Sequence, residues 1–170
     1  MRKLSCFAAL LFCASIAAQG QNAVYGAVSA SDYRLPNISW KTGGTFGFYA
    51  DPLGVPFVRA GIDVRASFAG SGNETLNSYL GGLRVQIHPH VVRLMPYGEA
   101  LIGAAHVNLG QGIANVDETG GEYALVGGAD FTILPHIDWR LVEYSWGDVF
   151  NVGETIHPQT VSTGLVVRLP

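Results

Sequence analysis

The chain has 170 residues, 48% hydrophobic and 14% charged, with 22 glycines, a mean hydropathy of +0.25, a pI near 5.9 and a formal charge of −3. Disorder is excluded, because it requires low hydrophobicity and high net charge, and without a basic cluster the chain does not read as a nucleic-acid binder. A soluble domain carries about a quarter charged residues, so an apolar medium is expected to cover part of this surface.

Residues 1–20 read as a secretory signal: Arg2 and Lys3, an apolar stretch from Leu4 to Ala18, and the small residues Ala17, Ala18 and Gly20 at the cleavage flank. Residues 21–170 then form one domain of about the usual size. Cleavage near Gly20 leaves eight Lys and Arg against 13 Asp and Glu, a net charge of −5, with Lys41 as the one lysine remaining. Cys6 and Cys13 leave with the signal, so the exported part is expected to hold no disulfide and no cysteine metal ligand. A lipid anchor at Cys13 is disfavoured by the bulky Phe12 before it.

After residue 21 the pattern has period two, the signature of strands. Weak runs cover 23–31 and 42–50. The clearest run is 57–68, where Val58, Ala60, Ile62, Val64, Ala66 and Phe68 oppose Arg59, Gly61, Asp63, Arg65 and Ser67. The run 79–88 sets Leu83, Val85 and Ile87 against Gly82, Arg84, Gln86 and His88. A weak run at 97–109 is followed by 123–133, where Leu125 and Phe131 oppose Val126 and Asp130. A weak run at 137–146 precedes the last one, where Val161, Thr163, Leu165, Val167 and Leu169 oppose Ser162, Gly164, Val166 and Arg168.

Eight strands result, and the links between them alternate. Short links with proline (51–56, 89–96, 134–136) separate longer polar ones (32–40, 69–77, 110–121, 147–159). An up-and-down outer-membrane barrel has this layout, with short turns in the periplasm and long loops outside. The predicted fold class is therefore all-β, an eight-stranded antiparallel up-and-down transmembrane β-barrel.

Alternation alone also fits a soluble β-barrel that binds an apolar ligand in its cup. The polar face decides for the membrane, because its charges are sparse and interleaved with Gly, Ala and Ser, which suit a narrow interior. Arg59, Asp63, Arg65, Arg84, Glu99, Asp130 and Arg140 are expected in the lumen as a structural charge network of four arginines and three carboxylates. Eight strands enclose a lumen that side chains largely fill. Tyr79, Tyr97, Tyr123 and Trp146 are expected in interfacial girdles. With Glu99 inward, His106 and Asn108 face out near the external rim. Strict alternation that puts Asp138 and Arg140 inward sends Glu143 toward lipid, unless a bulge resets the register.

Signal, eight runs, alternating links and the closing segment TVSTGLVVRLP together resemble the small outer-membrane proteins of the OmpA-like transmembrane-domain superfamily. The segment VRLMPYGEALIGAA resembles a frequent family strand that begins with a Pro-Tyr pair. The resemblance covers the whole mature chain. It implies an outer-membrane location in a Gram-negative-type bacterium, with lipid, lipopolysaccharide and the barrel-assembly machinery as partners and a structural or surface-interaction role. Family members usually end in an aromatic residue, whereas this chain ends Arg168-Leu169-Pro170. No peptidoglycan-binding domain follows, so no cell-wall tether is implied.

Catalytic and cofactor signatures are missing: there is no G-x-S-x-G, H-E-x-x-H, P-loop or dinucleotide fingerprint. No cofactor, metal or enzymatic activity is expected. Ser29, Ser31, Ser67 and Ser78 read as strand and turn serines, since a nucleophile needs a base and an orienting partner. His88 and His90 read as a solvated turn. Asp117, Glu118 and Glu122 read as a solvated loop, because calcium needs about six to eight oxygens. A narrow pore for ions or small solutes is the main alternative function.

Overall fold

In a computed structural model that describes residues 21–32, 40–71, 74–89, 92–111, 114–150 and 156–170, all the named elements are strands. The proposed signal, with Cys6 and Cys13, lies outside the described residues, as does His90. Eight strands run in chain order: β1 (Gln21–Asp32), β2 (Lys41–Val55), β3 (Val58–Ser71), β4 (Glu74–Ile87), β5 (Leu94–Gln111), β6 (Ala114–Leu134), β7 (Ile137–Phe150) and β8 (Gln159–Leu169). Each pairs antiparallel with the next, and β1 pairs with β8 (Asn22 opposite Leu169), closing the barrel. Closure removes the open edges that would otherwise recruit other strands. Among the described residues, no helix is long and apolar enough to cross a membrane.

The two faces of each strand divide as period two demands. Leu83, Val28, Ile62, Val64 and Leu165 point outward with half or more of their surface exposed. Arg84, Asp63, Asp130 and Arg140 on the opposite face are fully buried. A soluble cup for an apolar ligand needs the reverse arrangement. Along β3 the outward apolar row runs from Val58 to Phe68. At ~3.3 Å per residue and a tilt near 40° it covers about 25 Å, the height of a barrel's lipid-facing band.

Two bulges reset the alternation within the wall, and a third register shift falls between Thr132 and Leu134 beside the β6–β7 turn. On β2, Ala50 faces Ile62 and Leu53 faces Ala60, so one extra residue sits at Asp51-Pro52, where a proline without an N–H costs no ladder bond. The strand thus continues to Val55, and the link expected at 51–56 shrinks to Pro56 and Phe57. A Cβ on Gly61 would lie 1.9 Å from the Ala50 carbonyl oxygen and 2.6 Å from Asp51 Oδ1, so glycine there admits the close approach of the bulged backbone and its carboxylate. On β7, Asp130 faces Arg140 and Ala129 faces Val142, leaving Leu141 as the extra residue. The inward row consequently changes from Asp138 and Arg140 to Glu143, Ser145, Gly147 and Val149.

Two expected long loops are strand. The ladder continues through Ala69–Leu76 to Ser71–Glu74 in one hairpin, and through His106–Thr119 to Gln111–Ala114 in the other. Their glycines, serines and acids imitate loop composition, although Ala69, Leu76, Ala105 and Val107 in these hairpins are buried. We call the end that holds Gln21 and Pro170 the proximal rim and the opposite end the distal rim.

Candidate functional site: the charged lumen

Six side chains from five adjacent strands, β3 to β7, form a closed ring of alternating charge across the centre of the lumen. Glu99 bridges Arg65 and Arg84. Asp130 bridges Arg84 (3.2 Å) and Arg140 (3.1 Å). Glu143 completes the ring by accepting from Arg140 (2.9 Å) and Arg65 (3.0 Å). Asp63 joins from the side, 3.0 Å from Arg65 Nε. Removing these groups from water carries a large penalty, and each guanidinium offsets it by meeting at least two carboxylates.

Three tyrosines interleave with the ring. The Arg84 guanidinium lies between Tyr49 (4.1 Å to the ring centroid) and Tyr97 (4.0 Å), and Arg140 lies between Tyr97 (4.9 Å) and Tyr25 (4.0 Å). A planar cation over an aromatic face gains quadrupole attraction, most strongly where water is excluded. The phenols are used as well: Tyr25 donates to Asp63 (2.9 Å) and Tyr97 to Glu143 (2.7 Å). Rings and ion pairs together fill the cross-section at this level.

Of the expected lumen residues, Asp63, Arg65, Arg84, Glu99, Asp130 and Arg140 come together here. Arg59 does not reach the ring. It is half-buried toward the proximal rim and donates to Gln21. A second ion pair, Arg168 to Asp138 at 2.8 Å, lies near the same rim. Arg84 Nε stands 4.0 Å from Asp51, and neither Asp51 oxygen has a hydrogen-bond partner among the described residues.

Several members were not expected. Glu143 points into the lumen, not toward lipid, because of the extra residue Leu141. Tyr97 is a lumen residue, not part of a girdle; its shared face with Glu99 and Leu101 carried that signal. Tyr79 and Trp146 do face outward, and Tyr79 packs edge-on against Phe68 with centroids 6.0 Å apart. Tyr123 donates to Asp148, which also meets His157 near the distal rim. His106 faces out beside Thr119, at 3.1 Å.

Distal to the ring lies a different environment. Ser29, Ser31, Thr45, Ser67, Ser78 and Thr160 line a cavity of about 40 Å³ whose floor includes Arg65 and Glu143. Ser31 pairs with Thr160 (2.8 Å) and Thr45 with Ser67 (3.0 Å). The four serines with no sequence signature of catalysis thus share one wall, with no histidine lining it. Glu122, expected in a solvated loop, is buried at the edge of this cavity. An apolar cluster of Ala69, Leu76, Ala105, Val107, Val149 and Ile156 closes the neighbouring part of the distal lumen.

Chemically, the arrangement pairs charge and excludes solvent. Among the described residues no group of three His, Cys, Asp or Glu is placed to hold a metal ion. No family model and no curated protein matches the chain. Solved structures do match. Neisserial surface protein A (NspA) aligns with a TM-score of 0.57 at 15% identity, over 89% of this chain and 97% of that one. The fold is that of the small eight-stranded outer-membrane β-barrels. Ail, the attachment invasion locus protein of Yersinia pestis, aligns at 0.55 and 13% identity, over 88% of this chain and 97% of that one. The N-terminal β-barrel domain of Pseudomonas aeruginosa OprF aligns at 0.54 and 13% identity, over 87% and 99%. At such identities the shared feature is the barrel itself.

Proposed function

We propose that the protein is exported by residues 1–20 and spans the outer membrane of a Gram-negative-type bacterium as a closed, non-enzymatic barrel with a structural or surface-interaction role. The proximal rim faces the periplasm and the four distal connections face outward, two of them built on extended hairpins. Outer-membrane lipid and lipopolysaccharide surround the belt, and the barrel-assembly machinery is the partner during insertion.

The observation that carries this reading is the ring of Arg65, Glu99, Arg84, Asp130, Arg140 and Glu143 lying across a barrel whose outer wall is apolar. Such a ring opposes a pore, since an ion passing it would have to break several buried, desolvated pairs. It opposes an enzyme too, because every carboxylate in it is already occupied by an arginine; Ser162 donates to Glu143 at 3.2 Å, but that carboxylate is held by both Arg65 and Arg140 and is poorly placed to act as a base. What is left exposed for interaction is the distal rim.

Two measurements test the reading. Membranes washed in sodium carbonate should retain the protein until detergent is added, and release into the wash would refute membrane insertion. Purified protein in planar bilayers should give no stepwise conductance. Steps that change in size on Arg84→Met would establish the narrow pore instead.

A further inference from the structure

Buried carboxylates elsewhere in the lumen have an arginine near them. Asp63, Glu99, Asp130 and Glu143 pair within the ring, Asp138 pairs with Arg168, and Asp51 stands 4.0 Å from Arg84. Glu122 differs. Only 5% of its surface is exposed, no cation pairs with it among the described residues, and its Oε2 has no hydrogen-bond partner there. Its one side-chain bond is from the Ser78 hydroxyl.

An isolated buried carboxylate is expensive and is relieved either by a proton or by a counter-ion. The space beside Glu122 favours the second. A water needs ~10–15 Å³ of such volume, so the adjoining cavity of about 40 Å³ holds a small ion with one or two waters and nothing larger. Its polar lining is mostly hydroxyl oxygen, the ligand type that hard cations take. The two floor groups that line the cavity, Arg65 and Glu143, are of opposite sign and pair at 3.0 Å, so Glu122 is the carboxylate left to attract an ion. With a single carboxylate in the first coordination sphere, the site lacks the charge that divalent sites in proteins use.

We propose that Glu122 and the surrounding hydroxyls, Ser78 foremost, hold a small alkali cation, sodium or potassium, in the distal lumen. The ion supplies the positive charge that an arginine supplies at the other buried carboxylates. It ties β6 to the hydroxyl wall that β1, β2, β3, β4 and β8 build. Because the ring forms the floor, the ion enters and leaves on the distal side and does not cross.

The test uses the full mature barrel, refolded in detergent, with folding checked by heat-modifiable gel mobility. Its thermal midpoint is followed as sodium chloride, or potassium chloride, replaces N-methyl-D-glucamine chloride at constant ionic strength. One alkali cation should raise the midpoint saturably, as a ligand of the native state does, and Glu122→Gln should weaken its apparent affinity at least about tenfold. Ser78→Ala should weaken it less, and serves if Glu122→Gln does not fold. Identical midpoints in all three salts would mean a protonated carboxyl and overturn the proposal. An undiminished alkali response in Glu122→Gln would place the ion elsewhere and overturn it too, and an equal response to calcium would overturn the monovalent assignment.

Discussion

The centre of the lumen and its distal end are both polar interiors of one barrel, yet they are built in opposite ways. At the centre, charge is matched by charge: three guanidiniums and three carboxylates close into a ring, with Tyr25, Tyr49 and Tyr97 filling the gaps. At the distal end, neutral hydroxyls satisfy one another in pairs and, among the described residues, the buried carboxylate of Glu122 meets no arginine. The contrast teaches where the molecule is brittle. In a ring, removing one member strands two partners of opposite charge in a dry site, whereas a hydroxyl pair loses one modest bond.

The sharpest way to break this contrast is to insert one glycine between Val142 and Glu143. The added residue takes the inward place after Val142, so Glu143 and Ser145 turn toward lipid while Tyr144 and Trp146 turn inward. We expect the compact, heat-modifiable gel band to be lost altogether. Next in size, Arg84→Ala leaves Glu99 and Asp130 each short of a donor and uncovers two tyrosine rings. A cost of about 3–5 kcal/mol is expected in urea unfolding of the refolded barrel.

A control on the outer wall ranks third. Val64→Arg, at the middle of the outward row of β3, should cost about 2–4 kcal/mol in lipid vesicles, the penalty for a cation at the bilayer midplane. The smallest effect belongs to the hydroxyl wall. Ser67→Ala removes the partner of Thr45 and should cost about 0.5–1.5 kcal/mol by the same unfolding assay. If Ser67→Ala proved as damaging as Arg84→Ala, the distinction between the two regions would fail.

The sequence made much of this legible where alternation runs unbroken. On β3 and β4 no bulge intervenes between Val58 and Ile87, and Asp63, Arg65 and Arg84 were assignable to the lumen by parity alone. The failures share two physical causes. A bulge changes parity without changing composition: Leu141 looks like any apolar strand residue, so the reset that turns Glu143 inward leaves no mark in the sequence. At Asp51 the adjacent Pro52 signalled a turn although the strand absorbs it as a bulge. The second cause is composition: glycines and acids crowd residues 117–122, so Glu122 reads as a loop acid although it is buried at the edge of the distal cavity. Tyr25 and Tyr49 were within reach, since each shares its face with small residues: Ala23, Ala27 and Ser29 for Tyr25, Gly47 for Tyr49.

That hydrocarbon, not a protein core, covers the outward row is the claim on which the rest stands. Because both cysteines lie in the proposed signal, a single cysteine at Val64 can carry a spin label in the mature chain reconstituted into liposomes. The account predicts frequent collisions with dissolved oxygen and rare ones with a water-soluble nickel chelate. Free access of the chelate to the label, or shielding from both reagents, would contradict it.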